Sequence, residues 1–246
     1  MSAWGRIVKN ALFPENGTCP VCGRVLFSRD HFLCSRCQED LPLNQGETCL
    51  ICGRHLINGE AIRCRDCSQV VDLGFQAGCV WLDYTENAKP LVYGMKFQGR
   101  RGLCHWVGQQ MADMVMAAPW FSEIDRIIPV PLHESRLSER GYNQSMEIAQ
   151  GLSREIEVQT GQIIPAAEGL VRIVPTPHQI GQSRRERLKL LSSVFENSPE
   201  VDVRGQRVLL VDDVITTGAT LRACATALLS AGAQTVFIAA CAGGGA

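Results

Sequence analysis

The chain has 246 residues, 46% of them hydrophobic and 20% charged, with a formal net charge of −1. That length carries one sizeable core plus a small appendage, and the even charge balance excludes a global polyanion-binding field. No apolar run approaches the ~18 residues of a membrane-spanning helix, so no helical span is expected.

Met1 to Gly17 holds only short apolar runs rather than a secretory segment, and a cytoplasmic setting with reduced thiols is expected. Cys-x-x-Cys pairs then begin at Cys19, Cys34, Cys49 and Cys64, a constant step of fifteen residues that takes up eight of the twelve cysteines. The halves echo one another at a step of thirty: Cys19-Pro-Val-Cys22-Gly23-Arg24 returns as Cys49-Leu-Ile-Cys52-Gly53-Arg54, and Cys34-Ser-Arg-Cys37 as Cys64-Arg-Asp-Cys67. Two thiolates separated by two residues clasp one face of a zinc ion, the following glycine admits a left-handed backbone, and a second pair completes the tetrahedron. Spacing alone does not separate zinc from disulfides, but reduced thiols favour zinc. Sequential pairing gives one site from Cys19, Cys22, Cys34 and Cys37 and another from Cys49, Cys52, Cys64 and Cys67. An interleaved set, Cys19 and Cys22 with Cys49 and Cys52, stays open, although a duplicated unit most simply carries its own metal. Four thiolates leave no coordination position for water, so the Zn2+ is expected to be structural, supplying folding energy to a segment with few core residues of its own. His31 and His55 are read as surface residues. The cysteine grid ends before Asp72, which divides the chain into a double zinc-finger region, residues 1–72, and a second domain, residues 73–246.

From Phe75 onward strand-like and helix-like stretches alternate, the pattern of an α/β domain with a mainly parallel sheet flanked by helices. Strands are expected over Ala77–Leu82, Arg126–Val130, Gly169–Val174, Val208–Val211 and Thr235–Ala240. Helices are expected over Thr85–Met95, Arg101–Ala117, Gln144–Gln159, Arg184–Leu191 and Thr220–Ala231. Cys79, Cys104, Cys224 and Cys241 fall on apolar stretches and are read as inert core thiols. Basic residues gather near element ends: Lys96, Arg100 and Arg101 after the first helix, Arg136 and Arg140 in the loop after Pro131, and Arg184, Arg185, Arg187 and Lys189 after Pro175-Thr-Pro-His178.

The most informative stretch, Val208 to Thr220, reads Val-Leu-Leu-Val-Asp-Asp-Val-Ile-Thr-Thr-Gly-Ala-Thr. Its apolar start is a buried strand that puts Asp212 and Asp213 at the carboxyl end, where open α/β sheets bind ligands. Adjacent carboxylates accept hydrogen bonds from a vicinal diol or hold a hydrated Mg2+ ion. Thr216, Thr217, Gly218, Ala219 and Thr220 then offer hydroxyls and closely spaced amides at a helix start, which suits a phosphate dianion. Taken apart, these are an ordinary turn and an ordinary helix cap; contiguous, they describe a sugar-phosphate site. A pyrophosphate group needs cationic partners, so at least one basic cluster is expected to face Asp212 and Asp213.

The Asp-Asp-to-threonine motif resembles the phosphoribosyl pyrophosphate signature of type I phosphoribosyltransferases. Together with the N-terminal cysteines, Pro129-Val-Pro-Leu-His133, Arg140-Gly-Tyr-Asn-Gln144, Gln179 and Arg187, it makes nearly the whole chain similar to the ComF family of phosphoribosyltransferase-like proteins, which includes proteins associated with competence and DNA utilisation. The resemblance implies a type I phosphoribosyltransferase-like domain behind a small zinc-ribbon-like region. It implies that Asp212 and Asp213 bind the ribose hydroxyls and Thr216 through Thr220 the 5-phosphate, with Mg2+ accompanying the ligand. Arg136 and Arg140 would approach the pyrophosphate, with Arg140 acting in catalysis beside the two acids. Lys96 and Arg187 would complete the phosphoribosyl pyrophosphate contacts, and Pro175 to Arg187 would form a mobile hood. One departure stands out: Leu190 occupies a position where members of the family often carry asparagine.

The implied reaction is displacement of pyrophosphate from carbon 1 of the ribose, which needs positioning and charge stabilisation rather than a protein nucleophile. Three functions stay open. They are transfer of phosphoribosyl to an unidentified acceptor, sensing of phosphoribosyl pyrophosphate or a nucleotide without turnover, and an adaptor for DNA uptake that binds single-stranded DNA or competence proteins. For the adaptor, Tyr93, Phe97, Trp106 and Tyr142 are the aromatic residues nearest basic ones.

Overall fold

The computed structural model describes residues 17–27, 31–57, 62–97, 99–173 and 194–245. Two short helices, α1 (Ser35–Glu39) and α2 (Arg65–Ser68), each begin directly after a cysteine of the grid, Cys34 and Cys64. The α/β part then runs β1 (Ala77–Asp83), α3 (Lys89–Phe97), α4 (Arg101–Met116), β2 (Arg126–Pro129), α5 (Glu134–Arg140), α6 (Gln144–Thr160), β3 (Leu170–Arg172), β4 (Phe195–Asn197), β5 (Arg207–Ile215), α7 (Ala219–Ser230) and β6 (Thr235–Gly243).

Four strands form one sheet in the order β1-β6-β5-β2, and every neighbouring pair is parallel. Continuous apolar runs such as Val208 to Val211 are buried on both faces, as parallel strands covered by helices require. The ladder between β2 and β5 ends at Pro129↔Val211, where the Val130 amide makes the closing bond to the Val211 carbonyl at 2.8 Å. Pairing of β5 with β6 continues through Asp212↔Ala240 to Ile215↔Gly243. Asp212 and Asp213 therefore lie inside β5, not beyond a strand ending at Val211 as the apolar run implies. The apolar run stops there, but the hydrogen-bond ladder with β6 does not.

Two further differences from the sequence reading concern short elements. The segment after Pro131 contains a helix, α5, so Arg136 and Arg140 ride on a helix rather than a loop; His133 caps it by accepting from the Ser135 amide at 3.2 Å. Within the strand expected over Gly169–Val174, Leu170–Arg172 pairs with β4 in a separate antiparallel ribbon, Leu170↔Asn197 to Arg172↔Phe195, and Val174 lies outside the described residues. The expected helix Arg184–Leu191 lies outside the described residues, together with Pro175 to Arg187.

Helices α4 and α6 approach until their backbones nearly touch, and glycine makes that possible. A Cβ on Gly108 would stand 2.0 Å from the Ile148 carbonyl oxygen, and one on Gly151 2.0 Å from that of His105. This pair covers one face of the sheet and carries the N-terminus of α6 to the carboxyl side of β2.

The cysteine-rich region is fastened to the α/β part by backbone and core. Leu43 bridges Leu82, Asp83 donates its amide to the Pro42 carbonyl at 2.8 Å, and Leu33 and Leu41 are buried in one cluster with Leu82 and Leu103. Among the described residues, no helix is long and apolar enough to cross a membrane.

Candidate functional site

The eight grid cysteines converge as two quartets, Cys19, Cys22, Cys34 and Cys37, and Cys49, Cys52, Cys64 and Cys67, with all four sulfurs of each quartet within 4.8 Å of one another. Pairing is thus sequential and not interleaved. Zinc–sulfur bonds of about 2.3 Å set the edge of a tetrahedron at about 3.8 Å. The Cys22–Cys34 and Cys52–Cys64 sulfurs are each 3.7 Å apart, matching that edge, and four thiols so gathered suit Zn2+. Filled by four sulfurs, each site is a structural one. The quartets differ in setting: Cys22 is exposed in the first, whereas all four cysteines of the second are buried. Cys104, Cys224 and Cys241 are buried and Cys79 half-buried; burial pushes Cys79 and Cys104 up to about 12 and raises the other two, as inert core thiols should be.

The carboxylates form the second centre. Because β2 stops at Pro129 while β5 runs on, Asp212 and Asp213 stand clear of β2 on one side and remain laddered to β6 on the other. Successive strand residues face opposite ways. Asp213 meets the end of α3, where the Lys96 ammonium lies 3.1 Å from its Oδ1. Asp212 accepts from the Ser145 hydroxyl at 3.1 Å and from the Asp213 amide at 2.9 Å. Burial and the neighbouring Asp213 carboxylate push the Asp212 carboxyl up to about 7, against smaller lowering by the Asp213 amide and Lys96.

Ser145 is positioned by the start of α6. Asn143 caps that helix by accepting from the Ser145 amide at 3.1 Å, and its own amide donates to the Val130 carbonyl at 3.0 Å, locking the helix start to the strand end. Past Ile215 the chain turns through exposed Thr216 and Thr217 to Gly218, whose φ of 72° is the left-handed conformation that glycine adopts freely. Helix α7 starts at the next residue, so Thr216 to Thr220 do form a turn running into a helix N-terminus.

The expected cations divide. Lys96 is brought to the acid pair. Arg136 is exposed on α5, and Arg140 donates from Nη1 to Gln144 at 2.8 Å and lies over the Phe97 ring, 5.2 Å from its centroid, with its buried Nε left without a partner among the described residues. Arg100 holds the Thr18 carbonyl at 2.6 Å, and Arg101 pairs with buried Glu147. Arg187 lies outside the described residues. Three residues were not foreseen. Ser145 directly follows the Arg140 to Gln144 motif; Arg172 on β3 is electrostatically linked to Asp212 and Arg136; and Arg54 donates from Nη1 to the Thr216 carbonyl. Ser145 had a local signal, as a hydroxyl in the first turn after a capping asparagine, and Arg54 stood in the repeated Cys-x-x-Cys-Gly-Arg motif.

A model of the phosphoribosyl transferase domain matches residues 114–246, which is more than half of the chain and includes both acids and the threonine turn. A double zinc ribbon model matches residues 8–68. DNA utilization protein YhgH of Shigella flexneri is 34% identical over 159 residues, covering 63% of this chain and 67% of that protein. Competence protein F of Haemophilus influenzae is 33% identical over 166 residues, again covering 63% and 67%. The chain belongs to the ComF family. Among solved structures, glutamine phosphoribosylpyrophosphate amidotransferase from B. subtilis, complexed with ADP and GMP, aligns with a TM-score of 0.41 and 22% identity over 61% of this chain and 30% of that one.

Proposed function

We propose that the chain binds phosphoribosyl pyrophosphate between β2, β5 and the start of α7, and transfers its phosphoribosyl group to an acceptor. The observation that carries this reading is the adjacent acid pair, gripped by Ser145 and Lys96, running within three residues into the Thr216–Thr220 turn. In this reading residues 1–72 are the zinc-binding unit and residues 73–246 the transferase unit. Asp212 and Asp213 accept the ribose hydroxyls, and Thr216, Thr217, Gly218, Ala219 and Thr220 hold the 5-phosphate at the helix N-terminus. Lys96, Arg136 and Arg187 balance the pyrophosphate charge, and Arg140 orders α5 beside it. The bond from carbon 1 to pyrophosphate breaks with its electron pair leaving on the pyrophosphate, while the acceptor's lone pair forms the new bond and its proton passes to solvent. The half-buried carboxylates are hard oxygen donors of the kind Mg2+ takes, and bound with the ligand it would neutralise phosphate charge.

The test is pyrophosphate release from labelled phosphoribosyl pyrophosphate with candidate bases. Asp212→Asn with Asp213→Asn should slow release roughly 100-fold, and equal rates would eliminate the transferase reading. Saturable binding without any release would leave a sensor instead.

One observation favours a second reading, contact with single-stranded DNA. Trp106 packs against Phe32 and Trp81, and Tyr142 is buried with its hydroxyl on the Met95 carbonyl, but Tyr93 and Phe97 are exposed, 4.9 Å apart, with Arg140 over Phe97. Aromatic faces beside a guanidinium stack bases without regard to sequence. Unchanged affinity of a fluorescent oligothymidine for a Tyr93→Ala, Phe97→Ala variant would remove this reading.

A further inference from the structure

The two zinc-binding repeats share the sequence Cys-x-x-Cys-Gly-Arg, yet their arginines have opposite fates. Arg24 is exposed, while Arg54, at the same place in the second repeat, is 3% exposed. Burying a guanidinium demands that its donors be matched, and those of Arg54 reach in two directions. Nε points to Cys52 Sγ at 3.5 Å, and Nη2 to Cys64 Sγ at 3.2 Å and Asp66 Oδ2 at 2.9 Å. Nη1 donates to the carbonyl of Thr216, 162 residues away, at the entry of the threonine turn. The side-chain stem lies against the end of β6, where a Cβ on Gly243 would stand 2.9 Å from Arg54 Cγ.

The second repeat is seated to deliver this arginine. A Cβ on Gly53 would meet Cys79 Cα at 2.5 Å, so the knuckle backbone rests on β1, and Asn44 ties the Gly53 carbonyl at 2.8 Å to the Val80 carbonyl at 3.1 Å. Gly23, the counterpart in the first repeat, has nothing within 4 Å of the same position.

We propose that Arg54 is a positioning residue that makes the second four-cysteine site part of the sugar-phosphate site: zinc-bound thiolates and Asp66 fix the guanidinium, and the guanidinium fixes Thr216 and the turn that follows. Groups hydrogen-bonded to metal ligands orient them and are oriented in return. Lysine cannot replace it, because one ammonium does not span the sulfurs and the carbonyl together. The ligand-binding half of this proposal rests on the phosphoribosyl pyrophosphate reading above; the tie to Thr216 does not.

The experiment uses the full, zinc-loaded chain as wild type, Arg54→Lys, Asp66→Asn and, as the matched control, Arg24→Lys. Zinc content is measured for each, then amide exchange across 214–222 without ligand, then calorimetry with phosphoribosyl pyrophosphate and magnesium. Arg54→Lys should keep its zinc, exchange faster in that segment and bind the ligand roughly tenfold more weakly, the loss of one charge-assisted hydrogen bond. Asp66→Asn should shift both readouts in the same direction by less, and Arg24→Lys should shift neither. Wild-type exchange in Asp66→Asn and in zinc-loaded Arg54→Lys overturns the tie. If Arg54→Lys fails to fold, the Asp66→Asn exchange decides alone, since that side chain is partly exposed. A wild-type chain that takes up no ligand overturns the ligand half together with the functional reading, and the exchange result then stands on its own.

Discussion

Asp212 occupies an environment that opposes its own ionisation. Its carboxyl is pushed from the usual 3.8 up to about 7, first by burial and then by Asp213, and the Ser145 hydroxyl and Asp213 amide offset only part of this. Below pH about 4 the group is protonated whether the chain is folded or not, and contributes nothing. Between about 4 and 7 the unfolded chain releases the proton that the folded chain keeps, so folding is progressively disfavoured as pH rises, and above 7 the penalty is constant. Asp212→Asn removes it. The variant's urea midpoint should therefore gain on wild type from pH 5 to pH 7 and hold a fixed lead above pH 8; parallel curves throughout would show that Asp212 is not held protonated. A carboxylate that stabilised the fold would be shifted down instead; under the function proposed above, the penalty is the cost of holding Asp212 for ligand contact.

At the scale of elements, the α4–α6 contact decides whether Ser145 reaches Asp212 at all. Gly108→Ala would drive a methyl group into the Ile148 carbonyl, a backbone atom that cannot swing aside. Overpacking of this sort costs about 1–3 kcal/mol. We expect Gly108→Ala to lower the urea midpoint accordingly and to weaken the proposed phosphoribosyl pyrophosphate binding through displacement of α6; a fully stable variant would mean the helices separate without consequence. The elements that position the acids were legible where apolar pattern and length agreed, as in β1, β2, α4 and α6. Helix α5 was not, because Glu-Ser-Arg-Leu-Ser-Glu-Arg offers a single apolar residue, Leu137, and no periodicity to read. The last four residues of β5 were hidden by their two acids, whose strand conformation is imposed by β6. Lys96 was legible only as one of several cations near an element end; that it meets Asp213 depends on how α3 is set against the sheet.

For the molecule as a whole, the cysteine-rich region behaves as a wall of the α/β core. Leu33 and Leu41 are buried against Leu82 and Leu103, Phe32 lies 6.3 Å from the Trp106 ring, and Trp106 in turn meets Trp81 at 6.2 Å. Elemental analysis should find about two zinc per chain, since four thiolates fill each tetrahedral site. A structural zinc site supplies folding free energy directly, so stripping the metal should release the segments between the thiolate pairs, which carry Leu33 and Phe32. Water then reaches Trp81 and Trp106. A chelator strong enough to remove both ions should accordingly red-shift tryptophan emission and lower the melting temperature of the entire chain, and restoring Zn2+ should reverse both. The first site has an exposed cysteine and the second has none, so zinc should leave in two steps, with the emission change in the faster one because Phe32 and Leu33 belong to the first repeat. Loss of both ions with unchanged emission would mean that the metal-binding region folds and packs without its metal, and that its burial against the core is not what the zinc sustains.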